Sequence, residues 1–223
     1  MEESTGGAPA ASADVALRDV SALGGFFVLP EEAASPTPLA EGFAHRAREV
    51  SRRYATKEAR IGVSLVHLGL SARLWSPLLA CTVLHGIVPD LSGVEWADDS
   101  SSVRLRRPVG RRVEQLPCVV DAVYEQVASL LAEVESTLDV RIAPRLLDGN
   151  VASALAGSAA VLLRARPGTR AALTRLTTEL LGTGRLVGTG RITGPDLTFR
   201  RRSCCLYYRV PGGGKCGDCC LAD

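Results

Sequence analysis

The sequence is poor in aromatic side chains and in lysine. Phe, Trp and Tyr make up 4% of its 223 residues, whereas 46% are hydrophobic, so a core must be built mainly from Leu, Val and Ala. Lys57 and Lys215 are the only lysines among 26 basic residues, and the arginines are scattered along the chain. A net charge of +2 argues against a dedicated nucleic-acid binder.

Features of export and membrane insertion are also missing. The start, MEESTGGAPAASADV, is acidic and is not followed by the apolar stretch of a secretory signal. No run reaches the ~18 apolar residues of a membrane span. The closest, residues 74–89, contains Pro77 and follows Arg73, which favours a buried core helix. We therefore expect a cytoplasmic protein.

Composition divides the chain into three regions. Residues 1–40 are rich in Ala, Gly, Ser and Pro and are predicted to be flexible, with residues 16–29 packing on the body. Residues 41–199 form the predicted body. Residues 200–223 form a C-terminal segment with a different chemistry, because they are crowded with cysteine.

Helical periodicity dominates the body. Residues 41–60 predict a charged surface helix, and residues 61–75 a buried one. The clearest amphipathic pattern, in residues 116–138, consists of Val120, Val123, Val127, Leu130, Leu131, Val134 and Leu138. Two more helices are predicted, over residues 144–165 and 168–184.

Turn-rich stretches around residues 98–102 and 194–196 predict β-hairpins, the second of which leads into the cysteines. The predicted fold is therefore mainly α (α+β): a helical body with small β-hairpin elements and a cysteine-rich C-terminal segment.

Five of the seven cysteines lie in this segment: Cys204, Cys205, Cys216, Cys219 and Cys220. In a reducing compartment, clustered cysteines indicate metal binding or redox chemistry more than disulfides. Thiolate suits zinc, Cu(I) and iron–sulfur clusters, and four thiolates supply two ligands for each iron of a [2Fe-2S] cluster. Adjacent side chains in extended backbone point apart, so the pair Cys204–Cys205 would strain a site for one compact ion.

The residues between the cysteines suit such a site. Glycines 212–214 allow close backbone approach, so their N–H groups could donate to cluster sulfurs. Arg209, Lys215 and the arginine run 200–202 either offset the charge of a cluster or form a solvated basic end.

The motif C-C-x10-C-x2-C in CCLYYRVPGGGKCGDC resembles that of the FhuF-like ferric siderophore reductases. Residues 71–91, 149–157 and 199–219 also resemble this family, so the likeness runs from about residue 60 to the end. It implies a [2Fe-2S] protein that reduces Fe(III) in siderophore chelates and releases Fe(II) in the cytosol. The implied cluster ligands are Cys204, Cys205, Cys216 and Cys219, with Cys220 as an alternative to Cys219, and no catalytic residue is implied beyond them.

The resemblance also implies partners. The substrate is a ferric siderophore, and an external donor such as a ferredoxin or a flavin reductase must supply electrons. No flavin or nicotinamide motif is present, because GTGRLVGTG does not form a G-x-G-x-x-G that opens a helix. Peripheral contact with the inner membrane is plausible for the family. The sequence departs from the family at Asp148, where the family commonly has an aromatic residue. If this position lines the substrate groove, a different substrate preference is expected.

Two other functions use the same cysteines. One is a zinc-binding adaptor, although zinc sites usually have two C-x2-C arms. The other is a non-catalytic iron–sulfur sensor or accessory protein of siderophore metabolism. The remaining candidates are interpreted as core residues: His67 and His85 as core histidines, Cys81 and Cys118 as buried thiols, and Trp75 and Trp96 as packing residues.

Overall fold

The computed structural model describes residues 11–30, 35–97 and 102–222. Within these ranges it contains six α-helices: α1 (Asp14–Ser21), α2 (Leu39–Arg53), α3 (Ala59–His85), α4 (Val119–Ser136), α5 (Pro144–Ala165) and α6 (Arg170–Leu181). The strands of the same ranges are short: β1 (Ala11–Ser12), β2 (Ile87–Pro89), β3 (Val94–Trp96), β4 (Val103–Leu105), β5 (Val109–Arg112), β6 (Gly190–Ile192) and β7 (Phe199–Arg201). The predicted mainly α, α+β fold is confirmed.

Helices α3 and α5 form the centre of the protein and pack closely on each other. The indole of Trp75 donates to the carbonyl of Val151 at 3.2 Å, and the hydroxyls of Ser76 and Ser158 bond at 2.8 Å. Small buried residues on both helices, such as Ala80 and Ala156, allow the backbones to approach. The predicted buried helices at residues 61–75 and 74–89 are thus parts of one long core helix, which ends at His85.

By length and hydropathy, α3 and α5 could each cross a membrane. The rest of the chain buries 72% of the most apolar stretch of α3 and 78% of that of α5. Their composition is therefore accounted for by packing in the core.

The other helices surround this pair. Helix α4 buries Val123, Val127, Leu130, Leu131 and Val134, which confirms the predicted periodicity. Helix α2 is amphipathic, because Phe43 and Ala47 are buried while its other face is charged. It ends at Arg53, earlier than predicted, where Ala55 takes a positive φ of 48°. From the N-terminal region, Ala16, Val20 and Phe27 enter the core.

The strands form three small antiparallel sheets. Strand β5 lies between β1 and β2, and β3 pairs with β4. The arms of the first predicted hairpin are therefore present, whereas most of its turn, residues 98–101, lies outside the described residues. Strands β6 and β7 form the second predicted hairpin, which delivers the chain to the cysteines.

Two of the sequence interpretations are wrong. Cys118 is exposed because it precedes α4 in extended backbone, where its sulfur accepts the N–H of Asp121 at 3.5 Å. His85 lies at the end of α3, where it is partly exposed and bonds Asp19 at 3.0 Å. His67, Cys81, Trp75 and Trp96 are buried as predicted, and burial raises the pKa of the Cys81 thiol to about 12.

Candidate metal centre

The cysteine segment is held on the helical body by a buried chain of hydrogen bonds. Arg201, at the end of β7, is 1% exposed, and its guanidinium donates to the side-chain oxygen of Asn150 at 2.8 Å. The amide of Asn150 donates to the carbonyl of Ser64 at 2.9 Å. The hydroxyl of Ser64 donates to the carbonyl of Cys205 at 2.8 Å. One chain of bonds therefore joins β7, α5 and α3 to a predicted cluster ligand.

Gly149 gives the segment room to lie close to α5. A Cβ atom at this position would come 2.0 Å from the hydroxyl oxygen of Ser203 and 3.0 Å from a guanidinium nitrogen of Arg201. Gly149 and Asn150 are thus neighbours with complementary roles. The glycine allows close approach, and the asparagine supplies hydrogen bonds to what approaches.

The thiols come together in part. The sulfurs of Cys205 and Cys216 lie 3.5 Å apart. Burial, followed by the neighbouring thiols of Cys205, Cys220 and Cys219, raises the pKa of the Cys204 thiol. Cys205 and Cys219 are buried, and the other three thiols of the segment are partly exposed. Across the described ranges, no group of three or more His, Cys, Asp or Glu side chains is placed to hold one metal ion.

Two backbone N–H groups of the segment donate to thiols. Leu206 donates to the sulfur of Cys204 at 3.3 Å, and Leu221 to that of Cys219 at 3.4 Å. Gly213 instead forms a tight turn, in which its N–H donates to the carbonyl of Val210 at 2.7 Å. A Cβ atom on Gly213 would lie 2.3 Å from the carbonyl oxygen of Tyr207, so the turn needs glycine there.

The basic residues of the segment do not act as one group. Arg201 points into the core, whereas Arg202 is exposed and donates to the carbonyl of Gly188 at 3.2 Å. Arg209 pairs with Glu58 at 2.7 Å, which ties the segment to the start of α3.

Burial, followed by the charge of Cys205, raises the pKa of the Cys216 thiol. A bound metal must therefore displace protons from these thiols.

A groove of about 480 Å³ opens beside Cys205 and Cys216, which form part of its wall. Its other lining residues include three arginines, Arg46, Arg53 and Arg73, and four aromatic residues, Phe26, Tyr54, Trp96 and Tyr207. We call it the arginine groove. The guanidinium of Arg73 lies 4.6 Å from the ring centre of Phe26, and the rings of Tyr54 and Tyr207 meet edge to face at 6.3 Å. These contacts fix an aromatic and cationic surface next to the thiols.

Asp148 does not line this groove. It accepts from Arg185 at 2.6 Å, and Arg185 also pairs with Glu135 at 2.8 Å. Glu135 in turn bonds Nε2 of the buried His67 at 2.8 Å. Burial lowers the pKa of His67, so the ring is neutral at pH 7 and Nε2 carries the donated hydrogen. The family departure at Asp148 is thus part of a structural network around Arg185.

The fold and the thiol segment together define a mainly α protein with a cysteine-rich C-terminal segment docked on its helical body. Residues 201–221 match the family FhuF 2Fe-2S C-terminal domain. The chain therefore carries the [2Fe-2S]-binding domain of the FhuF-like family, which confirms the resemblance found in its cysteine motif and the predicted cofactor. No curated protein is significantly similar to the chain.

The donor set fits this cofactor. Five thiols lie within one short segment, and two of them already face each other. Four thiolates are what a [2Fe-2S] cluster requires, so one thiol is in excess. The assignment of Cys204, Cys205, Cys216 and Cys219 as the ligands stays a prediction, as does Cys220 as the alternative.

Proposed function

We propose that the protein is a cytoplasmic ferric siderophore reductase, which reduces Fe(III) in a siderophore chelate by one electron and releases Fe(II). The observation that carries the proposal is the arginine groove, because Cys205 and Cys216 line it. A [2Fe-2S] cluster held by these thiols with Cys204 and Cys219 would supply one electron at a time. A chelate in the groove would lie directly beside two of its ligands.

The groove has the chemistry to hold such a chelate. Ferric siderophores surround the metal with hard oxygen donors, and guanidinium groups donate paired hydrogen bonds to oxygen atoms. Arg46 and Arg73 are held in place by Glu49 and Phe26, whereas Arg53 is exposed at the rim. Tyrosine and phenylalanine rings add apolar contact area for the organic part of the ligand. A cavity of about 480 Å³ lies within the usual range for small-molecule sites.

The proposed reaction asks little more of the protein. Fe(II) carries less charge than Fe(III) and matches hard oxygen ligands less well, so one electron loosens the complex. No proton needs to move at the chelate. Among the described residues that line the groove there is no carboxylate or histidine, and the reaction requires none.

The proposal is tested on protein purified without oxygen. Its absorption and EPR spectra are recorded before and after dithionite, and a ferric trihydroxamate is then added to the reduced protein with an Fe(II) trap. We expect one trapped Fe(II) for each cluster that is reoxidised. A colourless, EPR-silent protein that contains zinc would contradict the proposal. A reduced cluster that no ferric chelate reoxidises would instead favour the sensor or accessory function.

The place of binding is tested without turnover. A gallium(III) siderophore has the shape of the ferric complex but accepts no electron from the protein, so its binding is measured alone. Arg53→Glu should weaken this binding on the order of tenfold or more, as expected for the loss of a charged hydrogen bond. Arg175→Glu, at an exposed arginine of α6, is the matched control. Equal affinity in the two variants would move the chelate away from the arginine groove.

A further inference from the structure

A second groove lies beside the cysteine segment and is separate from the arginine groove. It has a volume of about 650 Å³ and is formed by α5, the β6–β7 hairpin and residues 217–222, with Cys219 in its lining. None of its lining residues belongs to the arginine groove. Predicted cluster ligands therefore face two separate surfaces, Cys205 and Cys216 on one and Cys219 on the other. We call the second surface the Cys219 groove.

The Cys219 groove is strongly basic at its rim. Arg164, in the last turn of α5, and Arg191, on β6, are both exposed, and neither has an ion-pair partner in the described parts of the chain. A third arginine, Arg200, is engaged with the carbonyl of Ala222. The acidic residue of the lining, Asp218, is partly buried beside Cys216. The exposed charge of the groove is thus positive and has no ion-pair partner among the described residues, whereas Arg46 of the arginine groove pairs with Glu49.

The floor of the Cys219 groove differs from that of the arginine groove as well. It contains small residues of α5, among them Ala156 and Ala160, beside Val161, which is 40% exposed. Phe199 is its aromatic member, whereas four aromatic residues line the arginine groove. An apolar centre with an arginine rim is typical of a protein interface.

We propose that the Cys219 groove is the docking surface for an acidic electron-donor protein, a small iron–sulfur protein with a carboxylate patch beside its own cluster. The inference rests on the proposed reductase function, because turnover requires reloading with electrons. Charge complementarity with Arg164 and Arg191 speeds association and orients the partner. The donor would meet the Cys219 side of the segment, while the chelate occupies the side of Cys205 and Cys216.

The electron balance of the cycle is simple. One donor molecule is oxidised by one electron at the Cys219 groove, and one Fe(III) is reduced to Fe(II) at the arginine groove. No covalent bond forms or breaks in the protein, and no proton needs to be exchanged. Because the two surfaces are separate, donor and chelate can be bound at the same time.

The test compares binding in charge-reversed variants of the full-length protein with its cluster. The probe is an oxidised plant-type [2Fe-2S] ferredoxin, whose binding is measured by calorimetry at low and high salt. Arg164→Glu/Arg191→Glu should raise the dissociation constant at least about tenfold at low salt, and the difference should vanish at high salt. The matched control, Arg48→Glu/Arg175→Glu, reverses two exposed arginines outside both grooves.

Two further measurements separate this inference from the reductase proposal. Cluster reoxidation by the ferric chelate, after chemical reduction with dithionite, should be unchanged in Arg164→Glu/Arg191→Glu. The gallium siderophore should bind together with ferredoxin rather than displace it. Absence of ferredoxin binding at low salt, equal affinity in both double variants, or displacement by the gallium chelate would each overturn the docking surface. If ferredoxin binds as expected but no chelate reoxidises the cluster, the reductase proposal fails while the docking surface stands.

Discussion

The contact of Gly149 with the cysteine segment gives the most direct test of how that segment is held. Alanine at position 149 would place Cβ 2.0 Å from the hydroxyl of Ser203 and 3.0 Å from the guanidinium of Arg201, both in the docked segment. Overpacking of this kind costs about 1–3 kcal/mol. The gain in helix propensity when alanine replaces glycine is about 1 kcal/mol and offsets part of this cost.

Gly157 is a matched control in the same helix. A Cβ atom there has no neighbour within 4 Å, so Gly157→Ala should bring the propensity gain alone. The difference in unfolding free energy between the two variants should therefore be about 1–3 kcal/mol. In a chain of this size, each kcal/mol shifts the melting temperature by roughly 2–4 °C. Circular dichroism melts of the two variants, prepared identically, measure the difference.

A second substitution tests the cause. The hydroxyl of Ser203 is buried and has no hydrogen-bond partner within the described residues, so Ser203→Ala alone should be close to neutral. In the double variant Gly149→Ala/Ser203→Ala, the nearest atom of residue 203 lies 3.4 Å away, an ordinary contact. We expect partial recovery of stability, limited by Arg201. If Gly149→Ala is as stable as Gly157→Ala, or if Ser203→Ala brings no recovery, the proposed close docking is wrong.

Three other predictions concern the ligands, the buried bonds and acid stability. Cys219→Ser should abolish the iron–sulfur absorption and EPR signals while Cys220→Ser keeps them, and the reverse result would make Cys220 the fourth ligand. Asn150→Ala should lower the unfolding free energy by about 3 kcal/mol in urea titrations, because it leaves the buried guanidinium of Arg201 with only the longer bond to the carbonyl of Leu146 at 3.4 Å. Burial lowers the pKa of His67 below 6.5, so the unfolded chain takes up a proton that the folded protein does not. The unfolding free energy should thus fall as the pH drops below 6.5, with a shallower fall in His67→Gln, and an equal slope in both proteins would contradict this origin.

Local patterns in the sequence predicted much of the fold. The spacing of Val123, Val127 and Leu131 required a helix with one buried face, and α4 has it. Gly194, Pro195 and Asp196 marked a turn, and β6 and β7 pair around it. Cys118 and His85 were misplaced for a shared reason. Cys118 directly precedes α4, and His85 is the last residue of α3. The apolar pattern of a helix does not predict whether a side chain at its end is buried.

Of the candidate site, only the cysteines were predictable, and their assignment as ligands stays a prediction. The cysteines are close in sequence, so their chemistry could be read locally, whereas the residues around them come from distant segments. Arg201 belongs to a run of arginines typical of a solvated end. The burial of its side chain could be inferred only from strand geometry. Residues two apart in a strand face the same side, so Arg201 shares the buried face of Phe199 in β7. Its acceptor, Asn150, is 51 positions away, and no local pattern joins the two.

Separation along the sequence also explains why neither groove was predicted, because each is lined by residues from distant segments. Arg53, Arg73 and Tyr207 meet because α2 ends, α3 passes and the C-terminal segment returns across them. A short loop of cysteines could bind a cluster without a helical body, but it would present the cluster to solvent on every side. Docking through Arg201 and Asn150 instead places the segment beside two grooves of different chemistry. The helical body thus determines which molecules can approach each predicted cysteine ligand. Substitution of Arg201 or Asn150 should therefore weaken the binding of both the chelate and the electron donor.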